Sequence, residues 1–184
     1  MSRRALNVAI IFGGVALLVV VPWVLPAQAV FVLAGIGWGV GVAGYLARGR
    51  YGAALSLMKK QQWEAAFDEL LAFEKQVSVE GWRRRLAPLA TGFSTFDPVA
   101  LAKATQGAVR LEQGRLAEAE LLLEAAVALD PEYSLAWANR ALAAAGLGDL
   151  EKARLHAERA RALGVRSASF EAAMARGSAA RAKE

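Results

Sequence analysis

Residues 5 to 47 contain no Asp, Glu, Lys or Arg. A stretch of this length without charge has few ways to fold in water, because its side chains offer the solvent nothing while each backbone amide and carbonyl still needs a partner. Pro26-Ala27-Gln28 divides it into two apolar runs, 5–25 and 29–47. Each run is about 20 residues, and a helix of that length rises about 30 Å, the thickness of a hydrocarbon core. The pattern predicts two transmembrane helices joined by a tight uncharged turn, with Pro22 and Pro26 bracketing the turn and Trp23 at the interface. Arg3 and Arg4 precede the first run and Arg48 and Arg50 follow the second. Basic residues favour the cytoplasmic side, so the expectation is an integral protein of a bacterial inner (plasma) membrane with both termini cytoplasmic. The competing expectation is a signal peptide cleaved after Ala29, since Ala27-Gln28-Ala29 has the small-x-small form. Against it, the first run exceeds a usual signal-peptide core and the product would begin inside another apolar run.

The rest of the chain has a different composition. The 22 Lys+Arg and 17 Asp+Glu all lie outside the uncharged stretch, and residues 48–184 hold 20 basic and 17 acidic side chains. A near-balanced surface gives no reason to expect nucleic acid. The absence of Cys removes disulfide frameworks, thiolate metal sites and Cys nucleophiles. No other metal-ligand cluster, nucleophile with a base, or phosphate loop appears, so neither an enzyme nor a cofactor is expected. Residues 39 to 44 do match GxGxxG, but that phosphate-binding string needs a preceding strand and a polar helix start, and here it lies within an apolar run. Gly35, Gly37, Gly39, Gly41 and Gly44 instead form small-residue pairs that let helix backbones approach closely in lipid, against the first helix, another membrane protein or a second copy. The only histidine, His156, stands near Glu158 and Arg159 and is expected on a solvated surface. Glu118, Glu120, Glu124, Arg154, Arg159 and Arg161 are expected as exposed helix charges forming weak pairs.

After Ala47 the apolar spacing becomes helical. Residues 100–133 and 134–167 are identical at eleven positions when aligned at an offset of 34, among them Leu101/Leu135, Gly114/Gly148, Ala119/Ala153 and Ala126/Ala160. Small residues fall where two helices would touch, at Gly107 and Ala141, Ala119 and Ala153, and Ala126 and Ala160. Gly114 and Gly148 sit where a residue tolerant of positive φ would end one helix and start the next. Asp97-Pro98 and Asp130-Pro131 are helix-breaking and helix-starting pairs.

A helix-turn-helix period of 34 residues resembles that of the tetratricopeptide-repeat (TPR) family. The resemblance implies an all-α protein, a short TPR α-solenoid following the transmembrane hairpin. Trp137 occupies the family's large aromatic position, where the preceding repeat has Lys103. A degenerate unit precedes these two: in 51–77, Ala54, Gln61, Trp63, Ala66, Leu70 and Phe73 stand at the spacings of Gly107, Gly114, Leu116, Ala119, Leu123 and Ala126, an offset of 53. Gln61 departs from the glycine at that turn. The expected organisation is an anchor over 1–47, a TPR-like helix pair over 48–80, an inserted basic and aromatic segment over 81–97, two repeats over 98–167, and a capping helix with a charged tail over 168–184. Phe170, Ala173 and Met174 would form the capping stripe.

Two surfaces could carry function. Trp82 beside Arg83, Arg84 and Arg85 suits contact with anionic headgroups, or a loop folded onto the repeats. The family resemblance also implies a concave groove lined by the first helix of each repeat, here Leu101, Ala104, Thr105, Ala108, Leu111, Leu135, Ala138, Asn139 and Leu142. Only Asn139 matches the family's carboxylate clamp of Lys, Asn and Arg, so an apolar helix or extended peptide is expected rather than an acidic chaperone tail. The expected function is a membrane-anchored scaffold or adaptor that binds a partner protein through this groove. The alternative is an accessory subunit or assembly factor of a membrane complex, contacting it through the Gly-rich second transmembrane helix. A homo-oligomer remains open under either.

Overall fold

The computed structural model describes residues 49–79, 81, 95, 97–166, 170–172 and 174. The chain divides into two units, Met1–Ala43 and Gly44–Glu184, and the described residues belong to the second. Both expected membrane spans, their glycines, Trp82 with Arg83 to Arg85, and most of the tail lie outside the described residues. Among the described residues every regular element is a helix, and no helix is long and apolar enough to cross a membrane.

Among the described residues seven helices follow in order. α1 covers 49–59, α2 Trp63–Ser78, α3 Pro98–Glu112, α4 Leu116–Leu129, α5 Ser134–Leu147, α6 Leu150–Ala162, and a last helical stretch, α7, includes 170–172 and 174. They form three pairs, α1/α2, α3/α4 and α5/α6, whose internal turns share one construction. The residue ending each first helix has positive φ: Gln61 at 58°, Gly114 at 72° and Gly148 at 81°. In each turn its amide donates three residues back, Gln61 to Met58, Gly114 to Leu111 and Gly148 to Ala145, at 2.9 to 3.1 Å. The next amide donates five residues back, Gln62 to Leu57, Arg115 to Arg110 and Asp149 to Ala144, at 2.9 to 3.0 Å. This closure satisfies carbonyls that a helix end otherwise leaves unpaired. Gly164, with φ 94°, ends α6 in the same way. Gln61 therefore keeps the turn at the site where the sequence departs from glycine.

The helix starts are set by side chains at two places. Asp97 accepts from the amides of Val99 and Ala100, with Pro98 in the first turn, and Asp149 accepts from the Lys152 amide at 3.1 Å. Thr95, buried, donates its hydroxyl to the Asp130 carboxylate, whose other oxygen accepts from the Glu132 amide at 3.1 Å. This bond joins the approach to α3 to the connection between α4 and α5.

Successive helices from α2 to α6 pack against one another, and α3 also touches α5. The core begins with Ala54, Ala66, Leu70 and Val109. It continues through Phe73, Val77, Leu101, Leu123 and Tyr133, and ends with Ala138, Ala141, Ala157, Ala160 and Phe170. Phe170 and Met174 of α7 thus pack on α5 and α6. A Cβ on Gly107 would lie 2.6 Å from Leu123 Cγ, and Leu123 is itself fully buried. The α3/α4 crossing is closed by the absence of a side chain.

Two stability outcomes follow. Gln61→Gly removes the penalty of a left-handed residue with a Cβ and raises stability by about 1 kcal/mol. Gly107→Ala forces Leu123 off its position and lowers stability by about 1–3 kcal/mol, despite alanine's better helix propensity. Thermal or denaturant unfolding followed by circular dichroism checks both signs.

Candidate binding groove

Among the described residues, a depression opens on the surface of α1 and α3. Leu55, Ala108 and Leu142 are equivalent through the offsets of 53 and 34, and the pocket opens between the first two. Its volume is about 540 Å³. Leu55, Met58, Trp63 and Ala108 supply apolar walls, and Lys59, Gln61 and Glu112 supply polar ones. α1 and α3 contribute Leu55, Met58, Lys59, Ala108 and Glu112, and Gln61, at positive φ, and Trp63, the first residue of α2, complete the lining.

The same offsets identify the residues at the equivalent place between α3 and α5. Trp63 is equivalent to Leu116, and Glu112 is equivalent to Gly146. Leu116 reaches over Gly146, where a Cβ would lie 2.7 Å from Leu116 Cδ1. At α1/α3 a glutamate stands in place of that glycine, and the space beside Trp63 stays open.

The residues expected in the groove fall into two groups. Leu101 is 2% exposed and packs with Phe73 and Val77, and Ala104 and Ala138 are also buried. These three hold helices together. Thr105, Ala108, Leu111, Asn139 and Leu142 are half-buried, and Leu135 is 51% exposed. The Thr105 hydroxyl donates to the Leu101 carbonyl at 2.8 Å. Leu111 leans on the central core and Leu142 on the last one. Leu55 and Met58 were missed, although the 53-residue offset that identifies the first unit also maps Leu55 onto Ala108 and Met58 onto Leu111.

Behind this surface lies a polar network joining α2, α3 and α4. The Arg110 guanidinium sits 3.5 Å from the Phe67 ring centroid and pairs with Glu64 at 3.1 Å and Glu118 at 3.4 Å. Its Nη1 also donates to Gln113 Oε1 at 2.6 Å. The hydrogen bond from Arg110 holds the Glu64 carboxyl below its ordinary pKa. A few residues along α3, Lys103 pairs with Glu74 at 2.8 Å, and the fully buried Gln106 donates to the same carboxylate at 2.8 Å. Lys103, standing where the other repeat has an aromatic, thus serves as an inter-helix cation.

His156 departs from expectation. It is 5% exposed, with its ring 5.4 Å from that of Trp137 and Nε2 4.0 Å from Glu120 Oε1. The reason is helical phase: His156 lies on the face of Ala153, Ala157 and Ala160, all buried, and not on that of Glu158 and Arg159. Glu120 is likewise drawn inward, accepting from Arg140 Nε at 2.8 Å, whereas Glu118, Glu124, Arg154 and Arg161 are exposed.

Neither His156 nitrogen has a hydrogen-bond partner among the described residues. Burial first, then the Arg140 charge, pushes its pKa below the ordinary value, with Lys152 acting in the same sense and Glu120 and Asp149 opposing. The unfolded imidazole therefore takes up a proton first, so stability is complete above about pH 6.5 and falls as pH drops below it. The loss is at most about 1.4 kcal/mol per pH unit until the folded pKa is reached. His156→Leu should flatten this component when unfolding is measured between pH 7.5 and 5.

Comparison of the sequence with protein-family models and with curated proteins gave no match. Among the described residues no group of His, Cys, Asp or Glu could hold a metal ion.

Proposed function

We propose that the chain is a tetratricopeptide-repeat adaptor, anchored by residues 1–47 in a bacterial inner membrane, that holds a partner protein on the cytoplasmic side. The observation that carries this reading is the apolar pocket between two first helices, α1 and α3, on the surface such repeats use for peptides. Support for the repeat comes from three helix pairs with the same turn, at the spacings at which the sequence repeats itself. Support for the anchor comes from the 43 uncharged residues between Arg4 and Arg48. A repeat platform of this kind acts through what it binds.

The test is affinity purification in mild detergent followed by mass spectrometry. The adaptor reading expects the co-purified partner to persist when residues 1–47 are replaced by an unrelated membrane hairpin. It expects Leu135→Asp, at an exposed position that costs little stability, to reduce capture at least about tenfold. Loss of the partner on replacing the hairpin, with full capture by Leu135→Asp, would reject the adaptor in favour of a subunit held through its transmembrane helices.

A further inference from the structure

We infer that the α1/α3 pocket is a selective seat for one aromatic side chain of the bound segment, flanked by an acidic residue on the α1 side and a basic residue on the α3 side. The inference rests on the adaptor reading and names what its groove selects. Three observations carry it. First, the depression has a local cause in the sequence: Leu116 lies over Gly146 at the equivalent place between α3 and α5, whereas Glu112 and Trp63 line open space here. A bound segment crossing α1 and α3 therefore meets an open depression here. Second, the walls suit a ring. Trp63 offers an aromatic surface, Met58 an adaptable thioether that favours aromatic contact, and Leu55 and Ala108 apolar contact with no polar atom in their side chains.

Third, the pocket's charges are unspent. Of the three charged side chains on α3, Lys103 pairs with Glu74 and Arg110 with Glu64 and Glu118, but Glu112 has no ionic partner among the described residues. Lys59 on the opposite wall has none either, whereas Arg50 on the same helix pairs with Glu69 at 3.2 Å. A cation on one wall and an anion on the other complement a segment of opposite polarity. They give it a direction as well as an affinity.

Methyl-labelled methionine provides the readout, because the chain has only Met1, Met58 and Met174. The full-length protein in detergent micelles is titrated with Ac-Glu-Trp-Lys-amide, Ac-Lys-Trp-Glu-amide and Ac-Glu-Ala-Lys-amide. The two tryptophan peptides should shift the Met58 methyl signal and leave Met174 unmoved, and the alanine peptide should shift neither. One tryptophan peptide should bind about threefold more tightly than its reverse, the size expected of exposed ion pairs. The double exchange Lys59→Glu with Glu112→Lys, at exposed positions, should invert that preference. Ala108→Trp should abolish the Met58 shift by filling the pocket.

An unmoved Met58, equal shifts at Met58 and Met174, or equal response to the alanine peptide overturns the inference. Retention of the order preference in the double exchange overturns its charge component. Partner capture lost in Leu135→Asp but kept in Ala108→Trp would remove the pocket from the interaction while leaving the adaptor in place. Capture kept in both would count against the adaptor itself.

Discussion

Three residues held at positive φ determine how the helices pair. Gln61, Gly114 and Gly148 each stop a helix abruptly, return two amides to its last turn, and release the next helix from the same point. With the turn constant, what differs between pairs is the size of the side chains at the crossing: Ala54 with Leu70, Gly107 with Leu123, and Ala141 with Ala157. At the Gly107/Leu123 crossing a Cβ would lie 2.6 Å from Leu123 Cγ, and α3, which contains Gly107, is also the helix that touches α2, α4 and α5. Its burial explains why the charges of its inner face, Lys103 and Arg110, must be paired across to α2.

The candidate site follows from the same constraint. A turn that repeats while its flanking residues change gives junctions that differ only where substitutions fall. At position 146 the residue is glycine and a leucine lies over it; at position 112 it is glutamate and lines a pocket. The proposed adaptor function depends on such an irregularity, because a uniformly filled first-helix surface would offer no particular place for a partner to bind.

Much of this was legible in the sequence, and for physical reasons. Identities at a spacing of 34 report small residues at helix crossings and glycines at positive φ, both of which tolerate few substitutes. The helical character of the described residues and the left-handed turns at Gly114 and Gly148 could be read that way. Gln61 could not, because nothing local in glutamine requires a left-handed conformation; its neighbours impose it. Arg110 could not either, since its burial depends on Glu64, 46 residues away in the chain. His156 was legible and misjudged: the charged side chains beside it in sequence point elsewhere, and the spacing to Ala153 and Ala157 was the better guide.

The central claim is that a partner lies against the first helices, and photo-crosslinking inside cells addresses it most directly. A benzophenone amino acid placed at position 55 on α1 or 142 on α5, one at a time, should yield a covalent adduct with a single partner protein. The same probe at exposed position 155 on the outer side of α6 should yield none. Adducts from position 155 alone, or none from either first-helix position, would contradict the account.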